Sequence, residues 1–193
     1  MDRDLFIPIL LGTTRKGRES ENVARFVHGL LEARDGIETQ FFDARDFDLP
    51  HDHYGMEIKD RFPEWRDAII RADGLVLVVP EYNRSIPGVA KAIMDLLLEE
   101  YIHKAIGLVS VSAGGWGGVR VVESMLSMIR ELGLVATFTD LNFPKVADKF
   151  DDDGRLTAEI YHRLGDEFLT ELIWMATTLR WGRENLPSKY HSK

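Results

Sequence analysis

Three short stretches of this 193-residue chain concentrate the residue types that can hold a charged, flat ligand. The first is Gly12-Thr13-Thr14-Arg15-Lys16-Gly17-Arg18-Glu19-Ser20-Glu21-Asn22, rich in hydroxyls, cations and small residues just ahead of a helical periodicity. A helix N-terminus presents unpaired N–H groups and the positive end of its dipole, so hydroxyls and an arginine converging there suit a phosphate. The stretch has neither the Gly-Lys-Ser/Thr of a Walker loop nor the Gly-x-Gly-x-x-Gly of a dinucleotide turn. The competing reading is an ordinary helix start, with Ser20 as the cap and the cations solvated.

The second stretch, Pro80-Glu81-Tyr82-Asn83-Arg84-Ser85-Ile86-Pro87-Gly88, mixes an aromatic ring with carboxylate, amide and hydroxyl groups and is stiffened by proline. Such a loop can wall a flat heteroaromatic while its backbone meets the polar edge of the ring. It reads equally as a turn in which Pro87 opens the next helix. The third, Ser110-Val111-Ser112-Ala113-Gly114-Gly115-Trp116-Gly117-Gly118, holds four glycines in five positions. That costs backbone entropy and makes sense where a ligand approaches the main chain closely. Trp116 at the tip suits stacking or gating, and equally a packing or subunit contact.

Each stretch follows an apolar run. Leu5–Leu11 is closed by Gly12, Leu75–Val79 by Pro80, and Ile106–Val111 leads into the glycines. Continuous apolar runs of this length read as strands buried on both faces, hence parallel. Thr39–Asp43 and Leu134–Phe138 complete five expected strands. Between them lie helical stripes: Val23, Phe26, Val27, Leu30 and Leu31 in one, Phe62, Trp65, Ile69 and Ala72 in another. Further helices are expected near Pro87–Glu99, Gly118–Leu132 and Thr157–Trp181. Strand and helix alternate throughout, which predicts a doubly wound α/β sandwich. Ligands in that architecture sit beyond the carboxyl ends of the strands, where the three stretches fall.

The composition narrows the chemistry. With 45% hydrophobic residues, one domain with a substantial core is expected over residues 1–193, and Ser188–Lys193 reads as a loose tail. Met1-Asp2-Arg3-Asp4 lacks the order of a signal peptide and no apolar run spans a membrane, so a soluble, cytoplasmic protein with no membrane partner is expected. The absence of cysteine excludes disulfides, thiolate metal sites and any thiol relay, leaving redox chemistry to a bound cofactor. A net charge of −8 without a basic run argues against a nucleic-acid partner.

Together the three loops resemble the NADPH-dependent FMN reductase family of flavodoxin-like proteins. Gly12-Thr13-Thr14-Arg15 with Ser20-Glu21-Asn22 matches its Gly-Ser-x-Arg…Ser-x-Asn loop, with Thr13 in place of serine. Pro80-Glu81-Tyr82-Asn83, Pro87-Gly88, Lys91 and Asp95 match its second motif, with Ala92 where an asparagine is usual. Ser112–Gly118 is similar to its third flavin-contacting loop. The resemblance implies a flavodoxin-like five-stranded parallel sheet in the order 2-1-3-4-5 and an NAD(P)H-dependent oxidoreductase. It further implies FMN as cofactor, with NADPH or NADH stacking on its open face. Thr13, Arg15, Ser20 and Asn22 would hold the FMN phosphate. Pro80, Glu81, Tyr82 and Asn83 would line the ring, with Ser112, Gly114 and Gly115 at its other edge. The acceptor would be a small molecule such as free flavin or a quinone, and the assembly a homodimer or homotetramer.

Other patterns in the chain carry less chemistry. His51-Asp52-His53 lacks a third metal ligand at a defined spacing, and Asp151-Asp152-Asp153-Gly154 reads as a turn because its calcium-loop register would need Lys149 and Ile160 as ligands. No metal is expected. A serine hydrolase with Ser112, Asp140 and His162 lacks the first elbow glycine, which is Ser110. A non-enzymatic electron carrier or flavin-dependent interaction module fits less well, because Arg15, Lys16, Arg18 and Arg84 cluster around the expected site and suit a phosphorylated nicotinamide. No side chain is expected to act as an obligatory acid, base or nucleophile, since hydride transfer is cofactor chemistry.

Overall fold

Apolar runs without a polar alternation must be covered on both faces, and the chain covers them with helices on each side. The computed structural model of the protein describes residues 3–50 and 52–191. Met1 and Asp2 of the N-terminal stretch, His51 of the His-Asp-His pattern, and Ser192 and Lys193 of the expected tail lie outside the described residues.

The first run forms β1 (Leu5–Phe6) and β2 (Ile9–Leu11), separated at Pro8, which has no N–H to give. Both segments run parallel to β3 (Ile37–Glu38) and β4 (Phe41–Asp43), and bonds from Ile7 N–H to Glu38 and from Ile9 N–H to Gln40, each 2.9 Å, carry the pairing across the gap. The centre is β5 (Gly74–Pro80) against β6 (Ala105–Val111), paired in parallel from Gly74–Ala105 to Pro80–Val111. The main sheet runs β4, β2, β5, β6, then β7 (Val135–Ala136), with β8 (Leu141–Phe143) also pairing with β6.

The expected strand Leu134–Phe138 does not form as one element. Only Val135–Ala136 pairs regularly; Thr137 folds its hydroxyl onto Thr139 O and Phe138 is 94% exposed, so it cannot belong to a buried ladder. The chain rejoins β6 at Leu141–Phe143, which extends this edge to the carboxyl end of the sheet.

Alternation along each strand divides the core in two. Leu10, Leu75, Leu77, Val79, Ile106 and Leu108 face one layer, containing α2 (Pro63–Arg71), α3 (Gly88–Met94) and α4 (Val119–Glu131). Ile9, Leu11, Val76, Val78 and Val109 face the other, with α1 (Ser20–Glu32) and α5 (Ile160–Asn185). Helix α5 lies directly on the sheet: a Cβ at Gly107 would come within 2.6 Å of the Phe168 ring. Among the described residues no helix is long and apolar enough to cross a membrane.

At the amino end of the sheet, buried Asp73 accepts from Arg3 at 2.8 Å and Arg183 at 2.8 Å, with Arg180 3.8 Å away. Beside it, buried Lys104 donates to Ile69 O and, at 2.9 Å, to Ile70 O at the end of α2. The chain's far end is seated nearby, with His191 Nε2 3.0 Å from His103 Nδ1. Burial, reinforced by the Arg183 charge, pushes the Lys104 ammonium down from 10.5 to about 7. The unfolded chain therefore binds the extra proton between those values, and this group makes stability rise as pH increases from about 7 towards 10.5. Lys104→Met is expected to flatten that rise, read as the urea midpoint against pH for both proteins; an unchanged slope would show that Lys104 is charged in the fold.

Candidate functional site

Because the sheet is parallel, the loops leaving β2, β5, β6 and β8 open at one end, and they enclose a cleft of about 600 Å³. Arg15, Ser20, Pro80, Glu81, Tyr82 and Ser112 all line it. Thr13 lies buried behind Tyr82, with the two hydroxyls 2.8 Å apart, so the first loop is tied to the second. Asn22, Asn83, Gly114 and Gly115 are not in the cleft wall. The Asn22 amide instead lies against the turn at Gly154, 2.9 Å from where a Cβ would stand.

The first loop is braced from within. Arg18, its side chain only 2% exposed, donates to Thr13 O, to Asp43 with one bond of 2.8 Å, and to Glu21 at 3.2 Å. Arg45 donates to Arg15 O at 2.9 Å. Arg18 is thus not one of the free cations that its position in the sequence suggests; its charge is neutralised by carboxylates from β4 and α1. Burial alone would raise the Asp43 carboxyl, but the Arg18 bonds outweigh it and hold the group below its ordinary value. Arg15 is different: its guanidinium has no partner among the described residues.

Ser20 does not cap α1. It is the first helical residue, Glu19 precedes it with no capping bond, and the Ser20 hydroxyl is buried with no hydrogen-bond partner on a residue 2% exposed. A buried unsatisfied hydroxyl costs about 1–3 kcal/mol, which a ligand accepting or donating there would recover.

The second loop turns through Tyr82-Asn83-Arg84-Ser85, whose ends exchange bonds of 3.0 Å in both directions. Asn83 and Arg84 have φ of 51° and 69°, the left-handed pair of a type I′ turn, and stand exposed at its tip. Pro87 stands at the N-cap of α3. Glu81 is held by its N–H to Val111 O at 3.0 Å; one carboxylate oxygen is buried without a partner, and the other lies 3.7 Å from Arg120. In the third loop Ser112 Oγ donates to Gly114 O at 2.8 Å, and Ser110 Oγ lies 2.6 Å from Gly117 O. Gly118, at φ 84°, passes so close that a Cβ would sit 2.8 Å from Ser110 Cβ.

A fourth loop, Pro144–Asp148, joins the three that the sequence points to. Lys145, Val146, Ala147 and Asp148 line the cleft opposite α1, held by bonds from Lys145 N–H to Gly114 O (2.9 Å) and from Val146 N–H to Ser112 O (3.2 Å). The Lys145 ammonium has no partner among the described residues. The signal was present in Leu141-Asn142-Phe143-Pro144, an apolar alternation closed by proline like the run before Pro80.

The alternative constellations do not assemble. Ser112 is bonded to Gly114, whereas His162 packs edge-on against Phe26 and lies 4.0 Å from Glu159. Asp151 Oδ1 accepts from the N–H groups of Asp153 and Arg155, making the acidic stretch a turn. Among the described residues no group of three His, Asp or Glu side chains can hold a metal ion.

Residues 7–148 match the family model of the NADPH-dependent FMN reductases. An NAD(P)H-dependent FMN reductase of Nectria sp is 29% identical over 170 residues, 79% of this chain and 84% of that one. An NADPH:quinone oxidoreductase of Oryza sativa is 30% identical over 182 residues, 86% of each. In structure, a flavoenzyme NAD(P)H:(acceptor) oxidoreductase from Paracoccus denitrificans superposes with a TM-score of 0.75 at 20% identity, covering 90% of this chain and 98% of that chain.

Proposed function

The chain belongs to the NADPH-dependent FMN reductase family, and we propose that its cleft binds FMN and that it oxidises NADPH or NADH to reduce a small acceptor such as a quinone or free flavin. The observation that carries the site is the set of unmet groups around the start of α1: the buried Ser20 hydroxyl, the unpaired Arg15 guanidinium and, across the cleft, the Lys145 ammonium. These groups suit a phosphate. The walls at Pro80–Tyr82 and Val111–Ala113 supply the backbone and ring surface that a flat heterocycle needs.

The bound flavin supplies the hydride chemistry. The protein's part is to bind, orient and shield. Arg15 would neutralise the phosphate and Ser20 would hydrogen-bond it, Lys145 would add positive charge from the facing wall, and Thr13 fixes Tyr82 as a wall. Holding the nicotinamide against the ring is worth more than any proton transfer, because hydride transfer needs proximity and alignment and no side-chain acid. A homodimer or homotetramer in the cytoplasm completes this reading, testable by sedimentation and fractionation.

Titration of apoprotein with FMN, riboflavin and FAD, followed by flavin fluorescence, tests the site. FMN is expected to bind one-to-one and more tightly than FAD. A charge-assisted bond contributes about 1.5–3 kcal/mol, so Arg15→Ala is expected to weaken FMN tenfold or more and riboflavin far less. Equal losses for both ligands, or tight FAD binding without FMN binding, would overturn the assignment.

A further inference from the structure

Trp116 is 66% exposed, yet the loop that carries it is fastened on both sides. Before it, Gly114 O accepts from Lys145 N–H at 2.9 Å; after it, Ser110 Oγ holds Gly117 O at 2.6 Å, and Gly118 leaves no room for the backbone to shift towards Ser110. The indole is therefore displayed at a set position rather than left on a frayed tip. Arg120, the second residue of α4, lies 5.0 Å from the centre of its ring. The same guanidinium stands 3.7 Å from the carboxylate of Glu81, which lines the cleft. That distance is an ion pair without a hydrogen bond, and the Arg120 side chain makes no hydrogen bond among the described residues. A continuous path thus runs from the cleft wall through Arg120 to an open indole face.

We propose that Trp116 and Arg120 form a ligand subsite at the mouth of the cleft for a flat aromatic ring carrying an anionic group. The ring lies on the indole surface that Arg120 leaves open, and the anion takes the unused guanidinium N–H groups. Glu81 keeps Arg120 turned towards the cleft while leaving its donors free. The subsite rests on the flavin reading of the cleft, because only a ligand that reacts there needs to be held at its mouth. Two sources share this chemistry: a pyridine nucleotide, with its phosphates, and an acidic acceptor such as a hydroxyquinone.

The test uses FMN-loaded wild-type protein, Trp116→Ala, Trp116→Phe, Arg120→Met and Arg120→Lys. KM is measured for NADPH, for 1,4-naphthoquinone and for its ionised 2-hydroxy derivative, with retained flavin and elution volume recorded for each. Losing one stacked face or one charge-assisted bond corresponds to about tenfold in affinity. Trp116→Ala is expected to raise KM by about that factor for the ligand that occupies the subsite, and Trp116→Phe to recover most of it. Arg120→Met is expected to do the same only for an anionic ligand, leaving the neutral quinone within about twofold, with Arg120→Lys in between. A rise confined to NADPH or to the hydroxyquinone supports the subsite and names its source. With no reductant present, the hydroxyquinone, or oxidised NADP+ in place of NADPH, is expected to quench indole fluorescence in wild type and to lose that component in Trp116→Phe. Unchanged KM values, or a change of elution volume without a change of KM, would overturn the proposal and make Trp116 a subunit contact. Failure of the wild type to retain FMN would count against the cleft assignment itself.

Discussion

Asp43→Ala is expected to weaken FMN binding by about tenfold or more, although Asp43 lines no part of the cleft. The effect runs through Arg18, which is buried and holds Thr13 O while Asp43 neutralises it. Removing Asp43 leaves the buried guanidinium with Glu21, which is shared with Arg25, so the cost falls below the roughly 3–5 kcal/mol of a buried charge left with no partner at all. Arg18 can escape that cost only by swinging into water, which frees the Thr13 carbonyl and loosens the loop that carries Arg15. A phosphate then has to order the loop at the expense of its own binding energy. Riboflavin binding should suffer much less, and the double replacement Arg18→Met with Asp43→Leu should recover part of the loss, because apolar groups can replace such a pair. FMN and riboflavin titrations decide it; an unchanged FMN affinity in Asp43→Ala would mean that the loop holds its shape without the pair. The pH dependence has a definite sign. The folded Asp43 carboxyl lies below its ordinary 3.8, so its support of the loop is complete above that value and is lost as pH falls through the lower, folded one.

Asp73→Ala is expected to cost about 3–5 kcal/mol of unfolding free energy, a large share of the roughly 5–15 kcal/mol that a domain possesses. Asp73 is fully buried and receives Arg3, Arg183 and the Phe6 N–H, with Arg180 close by. Without it the largely buried Arg183 keeps only the His103 carbonyl and feels the charge of Arg180, whose remaining carboxylate is Glu184 at 3.0 Å. Arg3 is half exposed, so Arg3→Ala should cost far less. Asp73 precedes the first residue of β5, whereas the cleft lies at Pro80; seven residues of strand put about 20 Å between them. FMN affinity of the folded variant is accordingly expected to stay within about twofold. Urea unfolding of the apoprotein, with flavin titration at low denaturant, separates the two quantities. A parallel fall in FMN affinity would show that the two ends of the sheet are coupled.

Short-range pattern determined much of this protein. The runs ending at Gly12, Pro80 and Val111 could only be doubly covered strands, and parallel strands force the loops that follow to one end of the sheet. The helix stripe beginning at Val23 likewise placed Thr13, Arg15 and Ser20 at an N-terminus. These features depend on neighbours within a few residues, which is the range that periodicity reports. Tertiary structure decided which of the clustered groups were left free. Arg15 and Arg18 sit three positions apart in one basic loop, but Asp43, 25 residues beyond Arg18, neutralises one and leaves the other open. Lys145 enters the cleft only because the chain leaves β6 at Thr137 and rejoins it at Leu141, a break that a hydrophobic run through Phe138 conceals. Composition allowed Ser20 to be either a helix cap or a phosphate ligand; in the fold it is an unpartnered buried hydroxyl, since the helix starts one residue earlier than a cap would require. The charge and hydrogen-bonding state of a side chain is set by whichever groups the fold brings within about 4 Å, and those lie far away in sequence.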